Sequence, residues 1–510
     1  DSTCTECAAG CGVGVRVIGG RAKKVEGIMR HPVSRGAHCL RAETSLQALY
    51  NPDRLRQPWK AQGAEQVPLA SWDEALAAVS ASFEKAGLWI TGPLTGTVGA
   101  LIVSAARASK SKIWVLDFPG TTAARAAMKS VGDKPRMPYY SFADADYVVN
   151  FGSDFLASWH PNNVEYSWQY GQLRSGKHRK RRGLLVSFCS RMSLTAASSD
   201  KWIPVKPGTE GLIAAAVAGL LGNTGTPPVS ADEAAKAAGI EADLIHRLAE
   251  RLKDAKKAVA IGGFENTAYS NGVSSMAAIA ALNKALAGGK ADTFETDMLV
   301  APKGEKAESA GDLIVSAKDA IEGLKAGKFA AVWVNDVNPA YLFPQAKLGL
   351  ADALRRADTY VFTPFVTETS VLAKWVLATT SMLEQWGDAA VDGPTPVYGI
   401  QQPVAVPQPG SKPLGEILLA TLKTAKELKN AKGQPVASMR EVLSLGFDEP
   451  TWVRAVERGG VYADAKVDQW SLYPSEPMYP PPAEPATAEQ APAAVGFWDN
   501  ANLPAVPALA

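Results

Sequence analysis

Histidine and cysteine are scarce in this chain: 510 residues hold five of each. The histidines (His31, His38, His160, His178 and His246) are scattered, and none stands at metal-ligand spacing with another ligand, so no histidine-based metal site is legible. There is no Ser-His-Asp arrangement, no phosphate-binding glycine loop followed by lysine, and no heptad stretch. Charge of one sign is also missing. Lys and Arg total 53 against 51 Asp and Glu, a net charge of +2, so electrostatics make no case for nucleic acid or an acidic membrane surface as a general partner. No apolar run approaches the ~18–20 residues of a membrane span. Stretches such as 211–221 read as core helices, so no transmembrane segment of its own is expected. With 46% hydrophobic and 20% charged residues, the composition is that of an ordinary globular protein, long enough for more than one domain. No signal peptide is visible, and the start reads as a trimmed one, which leaves the compartment open.

What cysteine there is has been concentrated. Cys4, Cys7, Cys11 and Cys39 follow the spacing C-x2-C-x3-C-x27-C, so four of the five thiols lie in the first 39 residues. Three crowded thiols and a returning fourth suit a cubane [4Fe–4S] cluster, in which each iron takes one thiolate. Gly10, Gly12 and Gly14 would let backbone approach inorganic sulfide. A structural zinc site and a pair of disulfides are the alternatives. Zinc sites usually pair two C-x2-C hairpins, and the second is missing here; disulfides would require an extracytoplasmic protein.

After the cysteines, Val13–Ile18 alternates and ends at Gly19-Gly20, which predicts a hairpin returning over Gly20–Gly27. Ser71 with Glu74 forms the sequence of a capping box opening a helix. Short apolar runs then recur with glycine turns and helical stretches between them: Leu88–Thr91, Lys112–Asp117, Ala145–Phe151, Leu184–Phe188, Ala258–Gly263, Ala330–Asn335 and Thr359–Thr363. This β-α-β alternation predicts parallel sheets. Asp154 reads as a helix N-cap after its strand, Cys189 as a small buried residue, and Arg174–Arg182 as a solvated basic helix face. The Pro/Ala-rich last forty residues cannot form a core and read as an arm.

The cysteine pattern, His31-Pro-Val-Ser-Arg-Gly36-Ala-His-Cys39-Leu-Arg41 and Tyr50–Leu55 together resemble the amino-terminal domain of the molybdopterin oxidoreductases, the dimethyl sulfoxide reductase superfamily. The resemblance continues through Phe142–Asp154, Arg191–Thr195, Pro207–Glu210, Val337–Ala340, Thr367–Thr369 and Leu383–Asp388, to about residue 465. It implies an α/β fold in which a small N-terminal iron–sulfur domain carries two doubly wound parallel-sheet domains. The implied layout is a cluster domain at 1–58, a discontinuous α/β domain at 59–141 and 241–400, an inserted α/β domain at 142–240, a return segment at 401–470 and a Pro/Ala-rich arm at 471–510. The ligand set implied is Cys4, Cys7, Cys11 and Cys39, with Arg41 carrying the basic position between cluster and pterin. If a pterin is kept, Gly152, Gly208, Thr209 and Glu210 would hold it.

Three departures set the expected function. Too few residues follow 465 for the family's fourth, carboxy-terminal domain. The segment Phe118–Gly132 offers no convincing molybdenum ligand, Ser130 being a solvated helix residue. Where relatives place an acid for a ribose hydroxyl, this chain has Phe188-Cys189-Ser190. Molybdopterin guanine dinucleotide is therefore not expected. The closest resemblance is to the molybdoenzyme-like subunits of alternative complex III and of a quinone reductase complex. These imply a non-catalytic iron–sulfur subunit of a respiratory complex passing electrons between cytochrome c and quinone. The implied partners are a multihaem cytochrome c, a ferredoxin-type iron–sulfur subunit and a quinone-binding membrane subunit, on the periplasmic side of the membrane. The alternative is an active molybdenum or tungsten bis-pterin oxidoreductase.

Overall fold

A computed structural model describes residues 1–465 apart from 64, 117–120, 132–136, 158–162, 176–181, 223–227, 287–292, 295–311, 344, 392–395 and 431. The C-terminal arm, His160, His178, most of the basic run and the two ends of Phe118–Gly132 lie outside the described residues, as does the side chain of Ser130; Thr121–Val131 between those ends is a helix.

The chain opens with a three-stranded antiparallel sheet of β1 (Ser2–Thr3), β2 (Gly12–Ile18) and β3 (Arg21–Gly27). The predicted hairpin is present, turning at Gly19 and Gly20, both at positive φ. β4 (Trp59–Gln62) and β5 (Glu65–Pro68) form a hairpin at one edge of the largest sheet, and β6 (Gly87–Thr91) and β7 (Lys112–Val115) lie at its other edge. β8 (Met137–Pro138) begins a separate small ladder. The second sheet is wholly parallel: β9 (Tyr147–Phe151), β10 (Leu184–Cys189), β11 (Lys201–Pro204) and β12 (Ala258–Gly262), in the order β11-β10-β9-β12. β13 (Thr293–Phe294) pairs with β8. β14 (Ala331–Asn335), β15 (Asp358–Thr363) and β16 (Trp375–Ala378) complete the first sheet, whose order is β5-β4-β16-β15-β14-β6-β7. A closing antiparallel sheet holds β17 (Gly387–Val391), β18 (Val397–Gln401) and β19 (Gly460–Tyr462).

The parallel strands were legible because both of their faces are covered, so they read as continuous apolar runs. All five residues of β6, β9 and β12 are buried. One face of the first sheet is packed by a tryptophan stack, Trp89 on Trp333 at 5.2 Å between ring centroids. The second sheet's core draws in the apolar helix Glu210–Leu220 and the helix Gly272–Ala285.

Three expectations need correction. The boundary at residue 240 does not separate the sheets: Ala258–Gly262 pairs in register with Tyr147–Phe151, so the second domain continues past it. A chain returning to a parallel sheet leaves no compositional mark at the crossing point. The helix expected to open with a Ser71/Glu74 capping box runs Asp73–Ser82 with no side-chain cap. Ser71 instead bonds Asp73, and Glu74 reaches Lys60 at 2.6 Å. Asp154 meets a helix further along the chain than the one expected of it. Its Oδ1 accepts from the amide and hydroxyl of Thr195, at 3.1 and 2.9 Å, in the short helix Leu194–Ala197. Among the described residues no helix is long and apolar enough to cross a membrane.

Candidate metal centre

The first three cysteines sit on the loop between β1 and β2. Its ends are tied by the Cys4 amide donating to the Cys11 carbonyl at 2.8 Å. Cys39 arrives from the other side, in extended backbone immediately before the helix Leu40–Tyr50. Cys4 and Cys11 are buried, Cys7 and Cys39 half-buried, and all four share one small core with Val13, Val164, Met382 and Leu383. Two glycines are demanded here. Gly10 has φ +56°, and a Cβ on it would stand 2.6 Å from Val391. A Cβ on Gly12 would stand 2.6 Å from Cγ of His31. Gly14 has ordinary clearance from its protein neighbours inside β2.

Burial first, then the charges of the neighbouring thiols, push Cys4 and Cys11 well above the ordinary thiol range. Burial pushes Cys7 up to about 11. The four groups thus gather close enough to feel one another, and Cys4, Cys7 and Cys11 are held as neutral thiols until metal displaces their protons. Among the described residues no group of three or more His, Cys, Asp or Glu is placed to hold a metal ion. A lone tetrahedral zinc would draw its sulfurs to within ~4 Å of one another. A cubane spreads four thiolates over four irons, and this buried all-thiol set fits that arrangement.

Arg41 lies beside the cysteine loop: its charge favours the Cys7 thiolate and the Glu6 carboxylate. Glu6 and Asp336 both reach solvent, yet the protein walls around them raise Glu6 to about 7, with Asp336 the next cause, and Asp336 to about 6. They line a cleft. Asp336 follows β14 with φ +45°, and its amide donates to Phe362. β14 and β6 are adjacent, but their connections run to opposite edges, so this is the topological switch point of the first sheet. The half-exposed Cys7 corner of the cysteine loop therefore shares electrostatics with that crevice.

The second sheet has its own switch point, between β9 and β12. Here the residues reserved for a pterin come together. Gly152 (φ +71°) leaves room for the side chains of Glu210 and Asn266. Gly208 (φ +80°) accepts from Asn271 at 2.7 Å, and the Thr209 hydroxyl donates back to Lys206 at 2.6 Å. Glu210 is fully buried at the start of its helix, and neither carboxylate oxygen has a hydrogen-bond partner among the described residues. Burial raises its pKa, and Glu265 adds to the rise. Glu265 accepts from Ser190 at 2.9 Å, and Arg191 reaches Glu265 at 3.5 Å and Asp154 at 3.8 Å. Cys189 is buried, its thiol turned to the Arg191 carbonyl and raised by burial to about 11.

Sequence reasoning passed over several residues. His31 has no metal-ligand spacing in the sequence, yet its ring is buried against the strand that follows Cys11. Arg54 and Glu384 form a buried ion pair, 3.1 and 2.5 Å, across 330 positions; both lay inside quoted segments, which was the available signal. Asp388 is buried and accepts from the Thr97 amide at 2.7 Å, anchoring a helix start from across the fold.

Residues 1–51 match the molybdopterin oxidoreductase Fe4S4 domain. The chain is 29% identical over 460 residues to the menaquinone reductase, molybdopterin-binding-like subunit of Nitratidesulfovibrio vulgaris, covering 81% of this chain and 63% of that one. It is 29% identical over 247 residues to the arsenate respiratory reductase molybdopterin-containing subunit of a Shewanella species, covering 42% of this chain and 26% of that one. The chain thus spans less than two thirds of the length of these relatives. Acetylene hydratase from Pelobacter acetylenicus shares the fold, with a TM-score of 0.67 at 16% identity over 89% of this chain and 73% of that one. The superfamily resemblance and the fold class read from the sequence are borne out, and the domain match supports a [4Fe–4S] cluster.

Proposed function

We propose, starting from an amino-terminal molybdopterin oxidoreductase Fe4S4 domain, that this chain is the iron–sulfur subunit of a membrane-associated respiratory oxidoreductase. Cys4, Cys7, Cys11 and Cys39 hold one cubane cluster, which supplies one-electron transfer when bound. Cys4 and Cys11 bury two corners, while Cys7 and Cys39 leave the other two nearer solvent, and Arg41 offsets negative charge on the Cys7 side. The observation that carries this reading is the gathering of four thiols into one small core with Arg41 beside them.

On this reading no molybdenum is held and the α/β body acts as scaffold. Two features support it. The Arg191 guanidinium lies across Asp154 and Glu265 at the second crevice, and Cys189 is turned inward. Electrons pass between cytochrome c and quinone. The partners are a multihaem cytochrome c, a ferredoxin-type iron–sulfur subunit and a quinone-binding membrane subunit, on the periplasmic face. The relative's name, menaquinone reductase, favours the quinone link.

A second reading is favoured by one observation: Gly152 and Glu210 stand together at a switch point with a buried carboxylate lacking a partner. On it the chain is a molybdenum or tungsten bis-pterin oxidoreductase. Elemental analysis of the purified intact protein, with low-temperature EPR after reduction, separates the two. Iron with a cubane signal and no molybdenum or tungsten is the expected result. One molybdenum per chain would overturn the first reading.

A further inference from the structure

We infer that His31 is a positioning residue for the cluster, locking the backbone that follows Cys11 and reserving its Nε2–H for the cluster's sulfur. The inference rests on the iron–sulfur reading above.

The imidazole is fully buried, and its tautomer is decided by its neighbours. Nδ1 accepts from the amides of Val33 at 3.2 Å and Ser34 at 3.4 Å, so the ring proton sits on Nε2. Nε2 is buried without a partner among the described residues. A buried N–H left unpaired is costly and rare, so a partner belongs there. The ring atoms closest to the place of a Gly12 Cβ are Cδ2 and Cγ, and Cδ2 is bonded to Nε2. The unpaired edge therefore runs along the strand leaving Cys11. On another side the ring meets Tyr462 edge-on, with centroids 4.6 Å apart and planes at 68°.

Tyr462 is itself held. Its hydroxyl donates to the Arg458 carbonyl at 2.8 Å, and three residues on the Ala465 amide donates to the Arg30 carbonyl at 2.8 Å. The last described strand thus meets the cluster domain at this imidazole, beside the Ala465–Arg30 bond. An N–H donor directed at sulfide or thiolate draws electron density from a cluster and raises its reduction potential. The competing partner is the Tyr462 ring, which could receive the N–H on its face.

The test uses the full chain labelled with 15N-histidine, its cluster reduced and examined by pulsed EPR, beside the variants His31→Leu and His38→Gln. One weakly coupled histidine nitrogen is expected in the parent protein. It should persist in His38→Gln and vanish in His31→Leu, whose iron content is kept and whose potential moves negative. A cubane signal with no histidine coupling, or a coupling that survives His31→Leu, overturns the inference and assigns the N–H to Tyr462. If His31→Leu fails to retain iron, His38→Gln decides: coupling kept there supports His31, and coupling lost there refutes it. A parent protein with no cubane signal overturns the iron–sulfur reading itself and the inference with it.

Discussion

The two large sheets end in crevices of the same topological kind but opposite character. At the first, between β6 and β14, Asp336 reaches solvent, and its charge raises Glu6 on the cysteine loop. At the second, between β9 and β12, Glu210 is sealed from solvent, while Asp154 and Glu265 are occupied by Thr195, Ser190 and Arg191. A switch point offers a crevice to any ligand. The side chains rimming it decide whether it stays open toward a redox centre or is closed by the chain's own groups.

Breaking the cysteine end should have the largest effect. Cys11→Ser removes a buried corner of the ligand set and should abolish the cubane signal, with iron falling toward zero per chain. Retention of full iron would refute its role as a ligand.

Next comes the pin between the cluster domain and the body. Glu384→Ala leaves Arg54 buried without its partner and should cost about 3–5 kcal/mol in chemical unfolding. A loss below ~1 kcal/mol would show that the pair is not intact in solution.

Glu210→Gln probes the sealed crevice. Burial raises the folded pKa of Glu210 above its unfolded value, so its protonated form favours folding. Its contribution is present at low pH and declines as pH rises from the unfolded value through the folded one. The glutamine variant should therefore be more stable than the parent by about 1–3 kcal/mol at pH 8 and no different at pH 4. A destabilised variant at pH 8 would mean that Glu210 is partnered in the native protein, which would favour the pterin reading.

Two small effects complete the contrast. Arg182→Ala removes an exposed ion pair to Asp200 at 3.2 Å, and a change of about 0.2–1 kcal/mol in unfolding free energy is expected. Cys189→Ala should leave iron per chain unchanged, since that thiol lies in the second sheet, turned to a carbonyl; iron loss would place it among the ligands.

Much of the fold could be read in advance for a physical reason. Parallel strands covered on both faces must be apolar throughout, so β6, β9, β10, β12, β14 and β15 announced themselves. The capping box at Ser71 failed because its Glu74 found a better partner in Lys60. The domain boundary at 240 failed because β12 joins its sheet by pairing, which composition does not record.

The cluster loop divides along the same line. Cys4, Cys7 and Cys11 fall within eight residues, so their proximity follows from chain length alone. The superfamily resemblance and the α/β class both rest on such local order. What folding alone decided is whatever joins distant positions: Thr97 with Asp388, Arg54 with Glu384, and His31 with Tyr462. Periodicity and spacing register neighbours along the chain. Contacts hundreds of residues apart exist only once packing has brought their elements together, and in this protein two of them, Arg54 with Glu384 and His31 with Tyr462, join the cluster domain to the rest.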